Sequence, residues 1–156
     1  MLLLDVAKKL IAKKIRFAVA GGYAVALHVA VRGTVDLDLV TLIDKENLIA
    51  LEKALNGLGL VSRIPVAAID IFRFRKEYVE KRNLIAWSFF DPSDGSRVVD
   101  IVITHDLKDM KTKTISLHGV KVPILAKESL IAMKRAAGRP QDIEDIRALE
   151  AFDEEA

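Results

Sequence analysis

Phe17-Ala18-Val19-Ala20-Gly21-Gly22-Tyr23-Ala24, followed after a short interval by Thr34-Val35-Asp36-Leu37-Asp38-Leu39-Val40, is the stretch on which the fold turns. Phe17 to Ala20 is a short apolar run that suits a buried strand, and Gly21-Gly22 closes it. Residues 23–31 are rich in Ala and Val and end near Gly33, which predicts a helix. The order is therefore strand, glycine turn, helix. Residues 34–43 then alternate and are β-branched at several positions, predicting a second strand with Asp36 and Asp38 on one face and Val35, Leu37 and Leu39 on the other.

Working outward, residues 2–15 place Leu3, Val6, Ala7, Leu10 and Ile11 at helical spacing, with Lys8, Lys9 and Lys13 off the apolar face. Residues 46–58 read as a helix stopped by Gly57 and Gly59. Residues 60–75 fit neither template: Pro65 breaks them, while Ile69, Ile71, Phe72 and Phe74 suggest partial burial, so a short helix is expected only around 76–82. Residues 84–90 and 97–104 are two β-type runs joined by Asp91-Pro92-Ser93-Asp94-Gly95, a hairpin. In its second arm Val98, Asp100 and Val102 share one face, opposite Val99, Ile101 and Ile103, so Asp100 interrupts an otherwise apolar strand. A further hairpin is expected at 114–117 and 120–124, and helices at 127–137 and 141–152. This pattern predicts an α/β (α+β) fold with a small mixed sheet flanked by helices and closed by C-terminal helices.

The chain has 156 residues, expected to form a single domain over 1–156, and 51% of them are hydrophobic, which excludes disorder. Its 24 Lys and Arg nearly cancel its 22 Asp and Glu. With no cysteine, a disulfide framework, a zinc-thiolate site, a redox pair and a Cys nucleophile are all excluded, and metal chemistry must use oxygen or imidazole. The opening Met-Leu-Leu-Leu is interrupted by Asp5, Lys8 and Lys9, so no signal segment or membrane span is expected and the location expected is cytoplasmic. Scarce Asn and Gln beside abundant Lys, Glu and Arg point toward a heat-adapted protein.

Each chemical feature admits two readings. Gly21-Gly22 lets a phosphate approach backbone amides at a helix start, or is only a tight turn; neither the spaced-glycine dinucleotide pattern nor a Walker loop is present. Asp36 and Asp38, roughly 7 Å apart at Cα on one strand face, can reach one metal or two neighbouring ones, and oxygen ligands suit Mg²⁺ or Mn²⁺; the alternative is two solvated charges at a strand end. Asp100 would be costly to bury unless ion-paired or metal-bound. His28 and Arg32, one helical turn apart, form a packing pair or contact phosphate. Asp142 and Asp145 suit the first turn of the last helix, where Asp142 can serve as part of a cap. Trp87 and Phe89 share a strand face and belong in the core. Residues 1–35 hold six basic side chains against one acid, a solvated helix face or a guide for RNA phosphates.

Taken together, Gly21-Gly22-Tyr23-Ala24, His28, Arg32 and Thr34-Val35-Asp36-Leu37-Asp38 resemble the minimal nucleotidyltransferases of the polymerase-β-like superfamily, in the pattern of the abortive-infection (AbiEii-type) toxin branch. The run from Val98 to Ile103 resembles the third-carboxylate strand of that family. Glu128, Lys134 and the segment Arg139-Pro140-Gln141-Asp142-Ile143-Glu144-Asp145 resemble its later motifs, so the likeness runs from about residue 15 to 150. Val29 departs from it, since many relatives carry Gly directly after the His.

The resemblance implies a nucleotidyltransferase fold and transfer of a nucleoside monophosphate from an NTP, ATP included, to a hydroxyl acceptor: an RNA 3′ end such as that of tRNA, a partner protein or a small molecule. It implies Mg²⁺, with Mn²⁺ as the alternative, held by Asp36, Asp38 and Asp100 as catalytic and metal-binding residues, with Asp100 also assisting deprotonation of the acceptor. Gly21, Gly22, Arg32, Thr34 and Lys134 would bind the nucleotide, although Lys134 also reads as an ordinary exposed residue. A cognate toxin or antitoxin partner is implied as well. The competing reading is a non-catalytic nucleotide- or partner-binding module, antitoxin-like, that keeps the fold.

Overall fold

A computed structural model describes residues 1–21, 24 and 36–151. Helix α1 (Leu2–Ala12) leads into β1 (Phe17–Ala20); later in the described chain come β2 (Leu37–Thr41), α2 (Lys45–Gly57), β3 (Val61–Ser62) and α3 (Ala68–Lys81). Strands β4 (Ala86–Asp91) and β5 (Asp94–Val102), a single 3₁₀ turn, β6 (Thr112–Leu117), β7 (Val120–Leu125), α4 (Lys127–Ala137) and α5 (Pro140–Ala151) complete the described chain. The strands form one mixed sheet in the order β3-β4-β5-β2-β1-β7-β6. Its centre is β5-β2-β1: β2 runs parallel to β5 and antiparallel to β1. The predicted class is the one observed, a mixed α/β fold with helices against the sheet.

Alternation along the central strands decides what is buried. Leu37, Leu39, Val99 and Ile101 are fully buried and so align on the core side of β2 and β5. Leu3, Val6, Ala7 and Leu10 of α1 and Leu48, Leu51 and Leu55 of α2 belong to the same core. Trp87 and Phe89 sit there edge to face with ring centroids 4.6 Å apart, as expected from their shared strand face. The Trp87 ring N–H donates to Ser62 Oγ at 3.1 Å, which satisfies its one polar atom.

Three boundaries differ from expectation. The ambiguous stretch 60–75 contains most of α3, which begins at Ala68, eight residues before the helix expected around 76–82. Its start depends on tertiary and local partners: Asp70 Oδ2 accepts the Ala67 N–H at 2.9 Å, and Glu52 Oε1 on α2 accepts that of Ala68 at 3.2 Å. A kink at Phe74 (φ −116°, ψ 15°) breaks its periodicity. The two-residue strand β3 was not foreseen, because only its pairing with Phe89 and Phe90 makes it a strand. Finally, β5 starts at Asp94 because the Asp91 carboxylate accepts from Ser93 N at 2.8 Å and Ser93 Oγ at 2.7 Å, confining the turn to Pro92-Ser93. All but Ala24 of the helix expected at 23–31, and most of the residues joining it to β2, lie outside the described residues. Among the described residues no helix is long and apolar enough to cross a membrane.

Candidate active site

The parallel pairing of β2 with β5 sets Asp38 opposite Asp100. Neighbouring strands lie about 5 Å apart. With Leu37, Leu39, Val99 and Ile101 taken into the core, the two carboxylates share the opposite face and line a cavity of about 550 Å³. On the other flank of β2, Asp38 pairs with Ala20, the last residue of β1. Gly21 follows in the left-handed conformation (φ +61°), and a Cβ built there would overlap the Asp38 carboxylate, with Cγ at only 2.7 Å. The glycine therefore does two things that no other residue can: it turns the chain and leaves room for Asp38.

Asp100 is oriented by Ser88, its register partner on β4, whose hydroxyl donates to Asp100 Oδ1 at 2.6 Å. Asp36 lies just before β2 at an exposed bend, which corrects the expectation that it belongs to the strand. It remains near enough to act on Asp38. Burial pushes the Asp38 carboxyl up to about 7, helped by the charges of Asp100 and Asp36 and opposed by Lys134 and Arg139. The Asp38 carboxylate, crowded by its acidic neighbours in a half-buried position, resists ionisation unless a cation joins it.

The opposite wall belongs to α4 and α5. Lys134 is 7% exposed, which corrects the reading of an ordinary exposed lysine; its Nζ donates to Asp145 Oδ2 at 2.8 Å and lies 3.6 Å from Asp142 Oδ1. Arg139 clamps Asp142 through Nε at 2.7 Å and Nη2 at 3.2 Å, while Asp142 Oδ2 also accepts the Arg139 backbone N–H at 3.1 Å, capping α5. Burial works against the Asp142 charge, but the hydrogen bonds from Arg139, then its charge and that of Lys134, hold the carboxyl below its usual range. Gln141 Nε2 donates to Asp145 Oδ1 at 2.9 Å. Both cations of this network line the cavity that holds the acid pair.

Among the expected site residues, the structure thus gathers Gly21, Asp38, Asp100 and Lys134 around one cavity and sets Asp36 at its margin. Gly22, His28, Arg32 and Thr34 lie outside the described residues. The cavity residues Thr104 and His105 escaped notice in the sequence, as did Ser88, which does not line the cavity but holds Asp100. The cross-strand register with Asp100 identifies Ser88, and no sequence spacing carries it. Among the described residues no group of three or more His, Asp or Glu side chains is assembled as a ready metal cage. The Asp38–Asp100 pair, an oxygen-only donor set whose coupling favours a bound cation, nonetheless fits a hard divalent ion that keeps water and phosphate oxygens in its other positions.

No protein-family model matches the chain, and no curated protein sequence does. Solved structures do. The antibiotic-resistance factor ANT(2'')-Ia superposes with a TM-score of 0.65 at 14% identity, over 95% of this chain and 80% of that one. The lincosamide antibiotic adenylyltransferase LnuA, bound to lincomycin, gives 0.64 at 13% identity over 97% and 96% of the two chains. An antigenic nucleotidyltransferase-like protein from Paracoccidioides brasiliensis gives 0.59 at 21% identity over 94% and 73%. At these identities the likeness is one of fold.

Proposed function

We propose that the chain, built on the fold shared by these nucleotidyltransferases, transfers a nucleoside monophosphate from a nucleoside triphosphate to a hydroxyl acceptor. The observation that carries this reading is the in-register pair Asp38 and Asp100 beside Gly21, facing a cavity whose far wall presents Lys134 and Arg139. Asp36, Asp38 and Asp100 would hold Mg²⁺, or Mn²⁺ in its place, which when bound neutralises charge on the triphosphate and on the entering and leaving oxygens. The chain's own residues supply the rest. Gly21 leaves backbone accessible to phosphate, and the cations of Lys134 and Arg139 offset the polyanion from the opposite wall. Gly22, Arg32 and Thr34 complete the phosphate-binding set in this reading. Ser88 holds Asp100 by Oδ1 so that Oδ2 accepts the acceptor's proton. The acceptor oxygen then bonds to the α-phosphorus as the bond to the leaving pyrophosphate breaks.

ATP is the first donor to test, because one neighbour is an adenylyltransferase and another has been solved with adenylyl-2''-tobramycin. The acceptors to test are tRNA, the proteins of a lysate and hydroxylated antibiotics, each incubated with a labelled NTP and Mg²⁺. Label transfer that disappears in both Asp38→Asn and Asp100→Asn is expected; transfer at the wild-type rate by either variant would overturn the reading. Tight nucleotide binding without transfer would instead assign a non-catalytic module. A toxin role in a toxin–antitoxin pair belongs to the same proposal, and growth arrest on expression that requires Asp38 is its readout.

A further inference from the structure

The cavity is polarised along its length. Asp38 and Asp100 stand at one end, where the charges of Lys134 and Arg139 both act on Asp38. Past Asp100 the same face of β5 becomes apolar: Val102 lines the cavity, and so does its register partner Ala86 on β4. Ile85, which precedes Ala86, accepts the Ile103 N–H with its carbonyl and is 60% exposed, lines this end too. Thr104 and His105 come next, joined by a 2.8 Å hydrogen bond between Thr104 Oγ1 and His105 Nδ1. With Nδ1 so engaged, Nε2 is the ring nitrogen left to meet a ligand. Burial, and then the charge of Arg75, lowers the imidazole's affinity for a proton, so it is neutral at neutral pH. Arg75 is itself anchored by Nε on the Ile103 carbonyl at 2.6 Å. At the rise of a strand, Val102 lies roughly 7 Å beyond Asp100, and Thr104 follows in the bend after β5.

A nucleoside triphosphate has the same polarity: a polyanion at one end and, one sugar away, a flat heterocycle with a hydrogen-bonding edge. We propose that the apolar end of the cavity, beside Ile85, Ala86 and Val102, takes the base of the triphosphate, and that His105, positioned by Thr104, is the residue that discriminates among bases. The inference rests on the nucleotidyl-transfer reading and assigns which part of the substrate lies where.

Calorimetric titration with each of the four NTPs and with inorganic tripolyphosphate, all with Mg²⁺, tests it. Wild-type protein is expected to bind its preferred NTP at least tenfold more tightly than tripolyphosphate. Ala86→Phe, which fills the slot, should erase that difference and leave tripolyphosphate binding unchanged. Ile85→Ala, at an exposed position where folding is not at issue, should narrow the difference severalfold. His105→Ala should level the ranking of the four NTPs, again with tripolyphosphate unaffected, and His105→Gln should restore part of it. Equal wild-type affinity for NTP and tripolyphosphate would place the base elsewhere and overturn the inference while leaving nucleotidyl transfer intact. Normal NTP binding by Ala86→Phe with loss of transfer would overturn it in favour of an acceptor slot. Failure of the wild type to bind either ligand would overturn the nucleotidyl reading together with this one.

Discussion

Gly21 and Asp38 show how single residues trade stability against the site, and Thr41 how a buried polar atom costs stability away from it. Because a Cβ at Gly21 would overlap the Asp38 carboxylate and φ is +61°, Gly21→Ala should lower the melting midpoint and displace Asp38 together. Loss of transfer in a protein that still folds is the expected result. Asp38 carries a larger cost. Its carboxyl is pushed up to about 7 in the folded chain, against about 4 when unfolded, so between those values the native state binds the extra proton. Metal-free protein should therefore lose stability as pH rises from about 4 to 7, by about 4 kcal/mol, and keep all of it below pH 4. Denaturant titrations across that range should show the decline in the wild type and a flatter profile in Asp38→Asn, the more stable but inactive protein. Thr41 is fully buried, and its hydroxyl has no hydrogen-bond partner among the described residues. Thr41→Val, which removes that polar atom from β2, should stabilise by about 1 kcal/mol.

Between elements, the junction of α4 and α5 is held by two kinds of ion pair that should behave differently. Lys134, Asp142 and Asp145 are all buried, and each charge is answered by another or by Arg139 and Gln141. Lys134→Met leaves buried acids without their shared cation, so it should cost on the order of 3 kcal/mol and loosen the cavity wall facing Asp38. Arg135 and Glu150 join the same two helices at 3.3 Å, but on the surface, with side chains 64% and 53% exposed. Arg135→Ala should leave the unfolding midpoint nearly unchanged, because water competes for both charges and salt screens what remains. Thermal melts of the two variants side by side check the contrast.

For the molecule as a whole, the near balance of 24 basic and 22 acidic residues hides how the fold distributes charge around the cavity. Asp38 and Asp100 line the cavity together, and Lys134 and Arg139 line it beside Asp142, with which both cations pair. A triphosphate with Mg²⁺ that binds only the native state should raise stability by about 2.7 kcal/mol at a hundred times its dissociation constant. A thermal shift with ATP and Mg²⁺ together, exceeding the sum of the two alone, is expected. The Lys- and Glu-rich, Asn- and Gln-poor composition further leads us to expect a melting midpoint above about 60 °C, measured by calorimetry.

Much was legible in the chain because local patterns carried it. Phe17 to Ala20, the 127–137 helix and both hairpins follow from apolar periodicity and turn residues, which act over a few positions and need no partner. Asp38 stood out for its spacing two residues from Asp36 on one strand face, and Asp100 because a carboxylate among β-branched apolar residues conflicts with its neighbours. What the linear order could not carry was pairing. Asp38 meets Asp100, and Asp100 meets Ser88, only through the registers of β2, β4 and β5. Lys134 becomes a buried cation only because α5 folds back along α4 to bring Asp142 and Asp145 to it. The start of α3 likewise waits on Glu52 of another helix. Residue types and periodicity by themselves determined the elements and which carboxylates would be unusual; the tertiary structure alone decided which groups face one another, since charge coupling and desolvation depend on distances that only packing sets.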